Sequence, residues 1–139
     1  MAIHFFVEDV DDIKISKAKI KIWIKDCIND WEMKVGDINY IFCSDEYLRN
    51  INIEYLKHDY FTDIITFNYN EKRHISGDIY ISTDRVNENA NEFKVDYLHE
   101  LRRVMVHGVL HLLGLNDETS EQKDTMVNTE NKYLLRYTE

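Results

Sequence analysis

Val104-Met105-Val106-His107-Gly108-Val109-Leu110-His111-Leu112-Leu113-Gly114-Leu115-Asn116-Asp117 is apolar on almost every side, yet carries two histidines four positions apart. A helix apolar all round is buried on several faces. Residues four apart on a helix share one face, with Cβ atoms about 5–6 Å apart, so His107 and His111 can aim both imidazoles at one point. Buried imidazoles need partners, because an unsatisfied buried polar group costs roughly 1–3 kcal/mol. A divalent metal would satisfy both nitrogens together. Gly114 is placed to end the helix in the left-handed conformation and reverse the chain. The reversal can return Asp117 to the same point as a third ligand. Two His and one carboxylate leave the fourth tetrahedral position to water, as catalytic zinc sites do. The bland alternative makes the histidines satisfied core residues and Asp117 a turn residue.

Outward from this helix, which the pattern extends over Asp96 to Gly114, the chain reads as short alternating elements. A last helix spans Thr119 to Tyr137, with Thr119 and Gln122 as a capping box and Met126, Tyr133, Leu134 and Tyr137 as its apolar stripe. Upstream lies a helix from Thr83 to Phe93. Before it, Asp63–Asn70 and Gly77–Ser82 read as a hairpin with a polar turn at Glu71–His74. Ser44 or Asp45 caps a helix carrying Leu48, Ile51 and Tyr55. Ile38, Tyr40 and Phe42 alternate as a half-buried strand, and Gly36-Asp37 reads as a break before it. Ser16 caps an amphipathic helix with Ile20, Trp23, Ile24, Cys27, Ile28 and Trp31 inward, and Lys17, Lys19, Lys21, Lys25 and Asp30 outward. Ile3–Val7 is an opening strand. The order predicts one α+β domain over residues 1–139, a small mixed sheet packed with helices.

The composition agrees. With 139 residues, 44% hydrophobic and 31% charged, the chain is neither a disordered tail nor a fibre. Cys27 and Cys43 are too few for a disulfide framework and read as reduced core residues of a cytosolic protein. The apolar run around the histidines is far short of the ~20 residues that span a bilayer, so no membrane is expected. A net charge of −9 argues against broad non-specific nucleic-acid binding, unless a basic patch or bound cation supplies local positive potential.

Other residues have two readings. Arg103, one turn before His107 on the same face, is a candidate to meet a phosphate, or else an ion-pair partner of Glu100 or another helix-face neighbour. Thr62 and Asp63 either line a cleft or open the strand with a side-chain turn. Gly108, on the stripe Leu98, Leu101, Met105, Gly108 and Leu112, permits close packing. It also stands where zinc proteases carry their general-base Glu, which counts against ordinary peptide hydrolysis.

At this point the sequence resembles the YbeY endoribonucleases, the rRNA maturation factors. Their signature His-Gly-x-Leu-His-Leu-x-Gly-Tyr-Asp-His is matched from His107 to Asp117. Ile51 to Phe67 is similar to the family's Leu-Asn-x-x-Tyr-Arg-x-x-Asp-x-Pro-Thr-Asp-Val-Leu-Ser-Phe, and Gly77-Asp78-Ile79 to its Gly-Asp-Ile strand. The resemblance implies a zincin (metalloprotease)-like single domain, one Zn2+ on His107, His111 and Asp117, and hydrolysis of single-stranded precursor rRNA, notably at the small-subunit 3′ end. It also implies a cytoplasmic protein with the ribosome or ribosomal proteins as possible partners. Two departures stand out: the third ligand, usually His, is Asp117, and the family's Arg is Leu56, for which Lys57 or His58 are possible substitutes. A zincin-like metalloprotease and a non-catalytic assembly factor with a structural metal are the competing functions.

Overall fold

The structure, a computed structural model, describes residues 1–138. Its sheet contains β1 (Ile3–Val7), β2 (Lys34–Cys43), β3 (Ile64–Asn68) and β4 (His74–Ser82) in the order β1-β2-β4-β3. β1 and β4 both run parallel to β2, and β3 turns back antiparallel along β4. Parallel neighbours cannot be joined by a tight turn. The crossover from β1 to β2 is made by α1 (Lys17–Asn29), and that from β2 towards β4 by α2 (Asp45–Leu56) and β3. Three helices follow: α3 (Thr83–Phe93), α4 (Tyr97–Leu112) and α5 (Ser120–Arg136).

Period-two alternation assigns the strand side chains to two layers. Ile38, Tyr40 and Phe42 of β2 and Ile75, Ile79 and Ile81 of β4 face α1 and α4, meeting Ile20, Ile24 and Ile28 from the one and Leu101, Met105 and Val109 from the other. On the opposite face α2 adds Leu48 and Ile51 to Cys43 and Ile65. The fully buried Tyr40 hydroxyl donates to the Met105 carbonyl oxygen at 3.0 Å, fixing α4 over the middle of the sheet. Both cysteines are free and buried, as expected, and burial pushes each thiol up to about 12.

The α+β class, the mixed sheet and the five helices agree with the sequence reading. Three details differ. Trp31 lies beyond the end of α1, where its indole N–H donates to the Tyr133 hydroxyl at 2.9 Å. Gly36-Asp37 does not break the strand. It sits inside β2 at a register shift between Val35 and Ile38, so the irregularity is absorbed as a bulge. Leu98, assigned to the apolar stripe of α4, is 40% exposed near the start of that helix. No helix among the described residues is long and apolar enough to cross a membrane.

Candidate metal centre

α4 presents His107 and His111 on one face, with ring centroids 4.6 Å apart and ring planes at 81°. Its end is a Schellman turn: the Leu115 N–H donates to the Leu110 carbonyl and the Gly114 N–H to that of His111, each at 3.0 Å. Gly114 holds φ +105, a conformation L side chains rarely adopt. The turn brings Asp117 back over the helix, where its Oδ2 lies 3.5 Å from Nε2 of both His107 and His111. One ligand atom from each of the three residues lies within 4.8 Å of the other two. Two imidazoles and a carboxylate at this spacing form a donor set that suits a divalent cation of the zinc type. The sequence-predicted ligands are therefore brought together, half-buried, at one point.

Behind them stands a residue that the sequence reading passed over. Glu130 of α5 is 4% exposed and accepts the Nδ1–H of His107 on its Oε2 at 2.5 Å. That bond fixes the tautomer, so Nε2 keeps its lone pair towards Asp117 and the cluster. Burial alone would lower the His107 pKa, but the hydrogen bond and charge of Glu130, with Asp117 and Asp63 nearby, outweigh it and raise it. The other Glu130 oxygen takes a 2.9 Å hydrogen bond from Arg103, whose second terminal nitrogen donates to Asn131 at 2.6 Å. Arg103 Nε lies 3.9 Å from Glu100, so the guanidinium is engaged chiefly by α5. The signal for Glu130 was present in the sequence. It lies at i+4 from Met126 and three before Tyr133, an acid in the middle of an apolar stripe.

The C-terminal end of α4 is tied from the hairpin as well. Asn70 donates from its side-chain amide to the Leu112 carbonyl at 2.8 Å and accepts from the Ser76 N–H at 2.8 Å. Gly108 is required by the close approach of α4 to the sheet. A Cβ there would lie 2.9 Å from both Ile64 Cδ1 and Ile79 Cγ2. There is no room at this position for the glutamate of a zinc protease.

Two hollows, of about 380 and 320 Å³, share Asp63, His107 and Asp117 in their linings. The first adds Glu100, Arg103, Lys123 and Glu130; the second adds Leu56, Tyr60, Thr62, Thr66 and His111. Thr62 and Asp63 thus line the cleft, and burial raises the pKa of Asp63. Leu56 is 41% exposed and Tyr60 54%, with His58 stacked on the Tyr60 ring at 5.2 Å. Lys57 ends α2 in the left-handed conformation, φ 59.

Comparison with known proteins gives a consistent result. The sequence profile of the family described as Endoribonuclease YbeY matches residues 6–138. A Parabacteroides distasonis protein named Endoribonuclease YbeY is 47% identical over 134 residues, covering 96% of this chain and 94% of that one. A Bacteroides fragilis protein of the same name is 43% identical, with 96% of each chain covered. The solution structure of TM1509 from Thermotoga maritima superposes with a TM-score of 0.67 at 28% identity, covering 95% of this chain and 86% of that one.

Proposed function

The chain belongs to the YbeY endoribonuclease family, and from that premise we propose that it is a metal-dependent endoribonuclease that cuts single-stranded ribosomal RNA precursors, notably at the 3′ end of the small-subunit RNA. The observation that carries this reading is the convergence of His107, His111 and Asp117, whose ligand atoms lie within 4.8 Å of one another in a cleft. These three residues would hold the ion, and zinc suits the donor set. The chemistry such an ion supplies is Lewis-acid polarisation of a phosphodiester.

The chain's own residues prepare the site. Glu130 orients His107, and Arg103 holds Glu130 from the opposite side while lining the hollow that contains His107. Arg103 thereby acts first as a positioning residue, and its charge stabilises negative charge that develops in the hollow they share. Two hollows meeting at Asp63, His107 and Asp117 accommodate a strand passing over the centre better than a small enclosed substrate. The exposed Tyr60 and Leu56 offer an unstacked base an aromatic and apolar surface, which favours single strands over duplex. With glycine at 108, peptide hydrolysis by the zinc-protease route lacks its base.

The whole of residues 1–139 then works as one hydrolase domain, in the cytoplasm, with precursor rRNA as substrate and the ribosome's proteins as neighbours. The test is incubation of zinc-loaded protein with precursor rRNA beside its His107→Ala and His111→Ala variants. Cleavage by the unmodified protein alone is expected. Equal cleavage by all three would contradict the reading.

A further inference from the structure

An acidic nuclease must still attract an acidic polymer. The chain carries −9 overall, yet from Ile13 to Lys25 it holds five lysines and no Asp or Glu. Lys14, Lys17, Lys19, Lys21 and Lys25 are all exposed. None takes part in an ion pair among the described residues. Their one ring contact is Lys21 Nζ, 5.9 Å from the centroid of Phe5. Lysines in the first turns of a helix oppose its macrodipole, and α1 has no acidic residue in its first turn to offset them. The lysines near the start of α1 are thus unfavourably placed for the helix itself, a cost that a bound anion would offset.

The surface is shaped as well as charged. Lys14, Ser16 and Lys19 line a hollow of about 250 Å³, with Leu101, Arg102 and Met105 of α4 on its far wall. Arg102 lies over the Tyr137 ring at 4.4 Å beside the same hollow. The metal centre hangs on the other side of α4, through Arg103, His107 and His111. The hollow and the metal centre therefore lie on opposite sides of α4.

We propose that the exposed lysines of α1 and its preceding loop, Lys14 and Lys19 beside α4 and Lys17 and Lys21 beside β1, form a docking surface for the phosphate backbone of the RNA strand, engaged by nucleotides outside those held at the metal centre. The proposal rests on the nuclease reading above for the identity of the polyanion. The chemistry favours nucleic acid over an acidic protein. Lysine is depleted from the cores of protein–protein interfaces, whereas rows of solvated ammonium groups neutralise phosphates without fixed geometry. On a molecule acidic elsewhere, the same surface steers the strand to approach from this side.

The experiment compares the protein with two variants, one with all five lysines changed to Gln and one with all five changed to Arg. Both keep good helix formers in α1, and thermal melting verifies that they are folded. Two probes are used: a long precursor rRNA fragment, and a short oligoribonucleotide that spans only the metal centre. For the Gln variant, affinity for the long fragment falls by about tenfold or more, and the slope of log K against log salt shrinks by about 2. That shrinkage corresponds to roughly three phosphates at about 0.7 each. The Arg variant keeps both, and cleavage of the short oligoribonucleotide is unchanged in all three proteins. If the Gln variant binds the long fragment as tightly and with the same slope, the proposal is overturned and the surface passes to an acidic protein. Equal loss with both probes overturns it too. A protein that binds the long fragment through these lysines but cuts neither probe retains the docking surface and refutes the nuclease reading.

Discussion

Glu130 shows how much of the centre depends on one carboxylate that bonds no metal itself. One of its oxygens accepts from His107 at 2.5 Å and the other from Arg103 at 2.9 Å, so it transmits the position of α5 to the imidazole. Changing Glu130→Gln keeps the shape and removes the charge. Outer partners of this kind typically change metal affinity by about 10–100-fold. The expected outcome is a loss of roughly tenfold or more in zinc affinity, read by competition with a chromophoric chelator, with little change in the fold. An unchanged affinity would make Glu130 a purely structural acid.

At the scale of elements, the centre exists because α4 packs on the sheet with no room for a side chain at Gly108, and stops abruptly at Gly114. Gly108→Ala tests the first condition. The Cβ would press on Ile79 Cγ2 at 2.9 Å, a branched atom with little freedom to move, as well as on the mobile end of Ile64. Overpacking costs about 1–3 kcal/mol, more than the ~1 kcal/mol that alanine gains over glycine in a helix interior. A net loss of stability in urea denaturation is expected; a gain would show that the approach is looser than the contact distances say. Elements with a strong local signal were legible in the sequence: the histidine pair, the Gly114 stop, the Thr119–Gln122 capping box and the β3–β4 hairpin. What escaped was non-local. Trp31 continued a helical spacing that the chain abandons to reach Tyr133, 102 residues away. Gly36-Asp37 resembled a break because local propensity does not register the two neighbours that hold β2 in the sheet. The apolar stripe of α5 marks Glu130 as an inward-facing acid, but its partner His107, 23 residues away, is met only after α5 packs on α4 and is encoded by no periodicity.

For the molecule as a whole, buried charge makes stability depend on pH. Glu100 is 3% exposed, and burial raises its carboxyl from 4.5 to about 7, only partly countered by Arg103 and aided by Asp63 and Glu130 nearby. Well below pH 4.5 it is protonated in both folded and unfolded chains and adds no pH dependence. Above that pH the unfolded chain ionises first, so this residue's contribution falls as pH rises, until the folded group also ionises near 7. Glu100→Gln removes the dependence. The stability of the metal-free variant relative to the parent is expected to climb between pH 4.5 and 7, by up to about 3 kcal/mol, in denaturant titrations at several pH values. Parallel curves would show that Glu100 ionises as freely as an exposed carboxylate.

The strongest test bears on the cluster where these scales meet. Crystals grown with zinc and measured on both sides of the zinc absorption edge locate the ion directly. The account predicts one strong anomalous peak bonded to Nε2 of His107, Nε2 of His111 and a carboxylate oxygen of Asp117, with no fourth protein ligand. A peak elsewhere, or a fourth side chain closing the coordination shell, would contradict it.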